Sequence, residues 1–167
     1  MISASQVKFG LEELAGIAPG VKGKGQYNEN CMIEKLMDAY EHIKDDYNNK
    51  SFGGVYIDRE KVSETETKLN SYLTDNKIDY LEQDISDLVD YLSIQELDGC
   101  ESQRAGTYVG SLISIITEKN EKLGKRTIID IPENRLAYLG YYCKKFDVVK
   151  IGDSYGSYAF ALSEKGN

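Results

Sequence analysis

Residues 126–151 read RTIIDIPENRLAYLGYYCKKFDVVKI, and the order of chemistry in this stretch decides the fold class. Arg126–Ile131 and Asp147–Ile151 are rich in β-branched residues, which suit a strand. Between them Pro132 stands where a helix can start, and Asp130-x-x-Glu133 has the spacing of a capping box. Glu133–Lys145 then reads as an amphipathic helix. Strand, helix and strand within 26 residues make a βαβ unit. If both strands lie in one sheet, they are parallel with a right-handed crossover. The tail beyond Gly152 has two readings: Ser157–Leu162 as a strand closing a hairpin, or Ser157–Lys165 as a helix stopped by Gly166.

Working back toward the N-terminus, the pattern is helical. Gly106–Lys119 places Val109, Leu112, Ile113 and Ile116 on one face, after a loop at Gln95–Gln103. Asp79-x-x-Glu82 opens a helix whose stripe is Leu81, Ile85, Leu88 and Leu92. Ser63-x-x-Glu66 opens another that runs to about Leu73. Gly54–Asp58 reads as a short strand. Asn28 or Asn30 caps a helix to about Asn48, with Ile33, Leu36, Met37, Tyr40 and Ile43 inward. Ser3–Gly16 reads as a first helix, and residues 16–25 break it.

The expected fold is therefore α/β or α+β. It is a helix-rich single domain over 1–167 with a small mixed sheet that includes the C-terminal βαβ unit. Residues 1–50 form a helical pair and 51–103 a short strand with two helices. Residues 104–167 run helix, strand, helix, strand and hairpin. A chain of 167 residues buries roughly 70% of its unfolded surface and needs no metal or disulfide to fold. Cys31, Cys100 and Cys143 are widely spaced and form no C-x-x-C pair, so reduced thiols and no metal knuckle are expected. Met1-Ile-Ser-Ala-Ser5 lacks the basic flank and apolar run of a signal peptide. No window is apolar enough to span a bilayer. The reading is cytoplasmic, without a cofactor. Thirteen tyrosines and no tryptophan read as amphipathic residues at the core edge.

Charge is segregated. Leu73–Gln103 holds nine acids against one base, Lys77, for −8, which equals the net charge of the chain. Residues 1–72 are −3 and residues 104–167 are +3. Such a field bears on partners. It excludes nucleic acid from this surface and suits a basic protein. Glu82, Asp84, Asp87 and Asp90 are the expected partner-binding residues, and the face bearing Glu82, Asp87 and Asp90 is expected to be largely unpaired in the isolated chain.

No catalytic pattern is complete. Gly152-Asp-Ser154-Tyr-Gly156 matches G-x-S-x-G after a strand, but no histidine follows, and a serine without a base is a poor nucleophile. A turn is the simpler reading. The single histidine, His42, lies far upstream. Lys144 and Lys145 beside Cys143 could lower its thiol pKa. Gly20, Lys22, Gly23, Lys24 and Gly25 form a glycine–lysine loop before a helix, the elements of an anion cradle. Asp84, Asp87 and Asp90 recur every three residues, without the histidine or cysteine that a transition metal would want. The leading expectation is a non-enzymatic interaction protein of the inhibitor, antitoxin or immunity type, with a basic protein or a second copy of itself as partner. The alternative is a small anionic-ligand-binding protein or enzyme, using loop 20–25 or a pocket near Ser154.

Overall fold

Asp98 starts the most deeply buried helix among the described residues. Its carboxylate accepts the N–H groups of Cys100 at 2.8 Å and Glu101 at 2.7 Å, two of the donors that a helix start leaves unpaired. The resulting helix spans Gly99–Lys122, beginning seven residues before the expected Gly106 because the acidic cap lies inside the expected loop. The computed structural model describes residues 24–47, 59–136, 138–154 and 160. Among them the order is α1 (Lys24–Ile43), a 3-10 turn (Lys44–Tyr47), α2 (Arg59–Asp75), α3 (Glu82–Ser93), α4 (Gly99–Lys122), β1 (Ile128–Asn134) and β2 (Val148–Ser154). The chain divides into Met1–Cys31 and Met32–Asn167. Of the first unit only the helical backbone of 24–31 is described, and the packing below concerns the second. The expected helix at Ser3–Gly16, strand at Gly54–Asp58 and tail at 157–165 lie outside the described residues, Phe160 excepted.

α4 is buried on nearly every side from Ser102 to Thr117, as a central helix must be. Its hydroxyls are satisfied locally: Thr107 donates to the Gln103 carbonyl and Ser114 to that of Gly110. Two tyrosines reach it with their phenol ends, and a third reaches out from it. Tyr80 donates to the Leu112 carbonyl at 2.8 Å, Tyr47 and the Ser111 hydroxyl share a bond of 3.1 Å, and Tyr108 on α4 donates to the Leu36 carbonyl of α1 at 2.6 Å. These rings therefore lie inside the core rather than at its edge. Burial pushes all three phenols well above the ordinary tyrosine range.

β1 and β2 pair in parallel, as expected, with Ile128 opposite Val148 and Ile131 opposite Ile151. Ile129 and Ile131 point into the core, and α3 covers them with Ile85, Leu88 and Leu92. The Ser86 hydroxyl donates to the Asp130 carbonyl at 2.6 Å and ties helix to strand.

The helix expected over 133–145 does not form. β1 instead runs through Pro132 to Asn134, and a two-stranded sheet has free edges on which proline is tolerated. Asn134 then accepts the Leu136 N–H on its side-chain oxygen at 3.0 Å, which turns the chain. Tyr138, Gly140 and Tyr142 follow at φ of 63°, 66° and 56°, the left-handed region that interrupts a helix. Contacts with α4 fix this turn. The Gly140 N–H bonds the Gly106 carbonyl at 3.0 Å, and the Lys144 N–H bonds the Ser114 hydroxyl. A Cβ on Gly140 would lie 2.6 Å from the Phe160 ring. Leu136, Leu139 and Cys143 are buried all the same, so their helical spacing reflects burial in a turn.

Two capping boxes are also displaced. α2 starts at Arg59, so Ser63 and Glu66 lie in its body. α3 starts at Glu82, and its third residue, Asp84, accepts the Leu81 N–H at 2.7 Å. The expected cap, Asp79, is bound by Lys119, the neighbouring Tyr80 is anchored in the core, and residues 78–81 stay outside the helix, with Leu81 extended.

Candidate functional site

α3 has two faces with different fates. Ile85, Leu88, Val89 and Leu92 are all at most 2% exposed. Removing each from water stabilises the fold by about 1.5–3 kcal/mol. Leu81, expected on this stripe, is instead 62% exposed because it precedes the helix. The four expected partner-binding acids do not stay together. Glu82 accepts the Asn120 side-chain amide of α4 at 2.8 Å, and Asp84 caps its own helix. Both serve the fold. Asp87 and Asp90, one helical turn apart, remain on the outer side, where among the described residues Asp87 accepts the Gln83 amide at 2.8 Å.

The fold adds a third carboxylate that the linear charge map leaves out. Glu133 of β1 lies near Asp90. Partial burial, then the charges of Asp87 and Glu133, push the Asp90 carboxyl above its ordinary range. Glu133 carries Arg135 two residues along, at 2.8 Å. Among the described residues no lysine, arginine or histidine lies within 4.0 Å of Glu82, Asp84, Asp87 or Asp90. The basic C-terminal segment directs its cations elsewhere: Lys119 to Asp79, Lys144 to Glu66 and Lys145 to Glu121.

Sequence patterning missed a second charged feature. Glu66 is buried on the inner side of α2, near Val62, Leu69 and Leu73. The spacing 62, 66, 69, 73 is that of one helix face, so the sequence did carry the signal that this glutamate points inward. Lys144, from the turn before β2, donates to Glu66 Oε1 and to the Ser63 hydroxyl, both at 3.0 Å. Burial raises the Glu66 pKa, and the Lys144 bond and charge oppose that rise.

The remaining candidates separate. His42 is exposed and stacks on Tyr72 with ring centroids 4.6 Å apart. Cys143 is buried and donates to the Lys145 carbonyl at 3.3 Å, and burial pushes its thiol up to about 11. The neighbouring lysines do not activate it, since their ammonium groups are held by Glu66 and Glu121. Ser154 is the last residue of β2, opposite Asn134, and its side chain lies outside those described. Gly152 has a structural reason: the Pro132 carbonyl occupies the place where a Cβ would stand. Gly20, Lys22 and Gly23 lie outside the described residues, while Lys24 and Gly25 open α1. That helix begins four residues before Asn28, so the last two members of the expected cradle belong to helical backbone. Among the described residues no group of three or more histidine, cysteine or acidic side chains could hold a metal ion, and no helix is long and apolar enough to cross a membrane.

No family model, curated protein or solved structure matches this chain.

Proposed function

We propose that this chain is a non-enzymatic interaction protein of the cytoplasm, of the inhibitor, antitoxin or immunity type. It docks a basic protein partner on the ridge formed by Asp87, Asp90 and Glu133. The observation that supports this reading is incomplete compensation: among the described residues no cation lies within 4.0 Å of Asp87 or Asp90, and Arg135 pairs Glu133 alone. Like charges held together without counter-charges oppose folding, and a basic partner relieves that repulsion. The same field speeds encounter with a cationic surface and repels a phosphate backbone.

The test uses two baits, the wild-type chain and Asp87→Asn/Asp90→Asn/Glu133→Gln, against lysate of the native host at low and moderate salt. A basic protein retained by the wild type, lost from the variant and released by salt is the expected result. Identical captures by both baits at both salt concentrations overturn the reading. Recovery of the chain itself as the captured protein would assign the ridge to self-association instead.

A further inference from the structure

A cleft of about 630 Å3 lies between α2 and α4, a volume typical of small-molecule sites. Ile115 and Leu123 supply apolar wall, and Glu66, Glu118, Lys122 and Lys144 supply charge. Glu66 is the part that packing leaves unexplained. Its side chain is 10% exposed, and while Oε1 holds Lys144, Oε2 is buried and accepts no hydrogen bond. A carboxylate can accept about four hydrogen bonds, and buried polar atoms in folded proteins nearly all find partners. Glu118, across the cleft on α4, is close enough that its charge also opposes ionisation of Glu66, and no cation lies within 4.0 Å of it among the described residues. Lys144 does not supply what is missing, because its ammonium is shared between Oε1 and the Ser63 hydroxyl.

We propose that this cleft binds a small organic ammonium ion. Its charged head bonds Glu66 and Glu118, and its hydrocarbon part rests on Ile115 and Leu123. A partial turn of the Glu66 carboxyl about its last side-chain bond, a torsion with broad minima, brings the unused oxygen toward the cleft while the other stays within reach of Lys144. An ammonium satisfies that oxygen and separates two carboxylates that now repel one another. An anion has no comparable seat here: Lys144 and Lys119 are already bound to Glu66 and Asp79, which leaves Lys122 as the cleft cation with no carboxylate within 4.0 Å among the described residues. Lys122 suits a second, acidic group on the same ligand, so plain amines and amino acids share the recognised chemistry.

The test titrates the full chain with butylamine, norleucine, butyrate and butanol at millimolar concentrations, following backbone amide shifts by NMR. Saturable shifts over residues 63–70 and 115–123 with butylamine and norleucine are expected. Glu66→Gln should weaken both by about ten-fold or more, and Glu96→Gln, exposed between α3 and α4 and away from the cleft, should weaken neither. Lys122→Ala distinguishes the two sources, since it weakens norleucine alone if the ligand is an amino acid and neither probe if it is a plain amine. Should Glu66→Gln fail to fold, Glu118→Gln carries the same comparison. The proposal is overturned if neither amine gives saturable shifts, if butyrate or butanol binds there instead, or if the carboxylate replacements leave amine affinity unchanged.

Discussion

Glu66 on α2 and Asp87 on α3 are both helical carboxylates in a chain of net charge −8, and the fold treats them in opposite ways. Glu66 is drawn into the core and met there by Lys144, 78 residues away in sequence. Asp87 stays outside, with a neutral amide four residues away as its partner. The first carboxylate is desolvated and is paired through one of its two oxygens. The second lies on the outer side of α3 beside Asp90, with no cation within 4.0 Å among the described residues. Charge counted along a chain therefore does not measure charge available to a partner. Glu82, Asp84 and Asp79 count toward the acidic stretch as much as Asp87 does, yet each is committed within the fold.

The comparison breaks first at Lys144. Lys144→Met leaves the Glu66 carboxylate buried without its cation. Loss of one partner from a fully buried pair costs about 3–5 kcal/mol. Lys144 keeps a third of its side chain exposed, so the expected loss is smaller, about 2 kcal/mol. Urea unfolding at neutral pH measures it, and Glu66→Leu in the same chain should recover most of it. An unchanged midpoint in Lys144→Met would place the pair among ordinary surface charges.

A smaller effect separates the two regions by pH. The folded-state pKa of Glu66 is raised above the ordinary 4.5. Between those two values the native chain holds more protons than the unfolded one, so stability falls as pH rises through the window. The contribution is complete below the unfolded pKa and lost once pH passes the folded one. The stability difference between the wild type and Glu66→Gln should therefore shift against the wild type as pH rises from 4.5, then level off. A difference that does not change with pH would count against a desolvated Glu66. The smallest effect belongs to the ridge. Asp87→Asn/Asp90→Asn should change stability by no more than about 0.5 kcal/mol, in the stabilising direction and less so in high salt. A large destabilisation would mean that these carboxylates serve the fold after all.

Much of the helical framework was legible in the sequence. The inner faces of α1, α3 and α4 follow helical spacing, and the two β-branched runs pair in parallel. The errors cluster where a strong local signal met a stronger distant one. Pro132 and Asp130-x-x-Glu133 look like a helix start, but Asn134 turns the chain and α4 holds residues 140–145 by their backbone. Ser63-x-x-Glu66 looks like a cap, but both side chains answer Lys144. Asp98 was overlooked as a cap because it sits among exposed acids in an expected loop. The acidic surface was recognised in part: Asp87 and Asp90 face outward, whereas Glu133 joins them only because β1 packs beside α3.

The sequence by itself determined which residues seek the interior and which segments carry charge, because hydrophobic periodicity and composition are properties of neighbours along the chain. Tertiary structure alone decided which charges are neutralised, where residues 133–145 turn and which carboxylates share a cleft or a ridge. Those outcomes depend on groups dozens of residues apart coming within about 3 Å of one another. A bond formed at that range outweighs local preferences that rarely exceed about 1 kcal/mol.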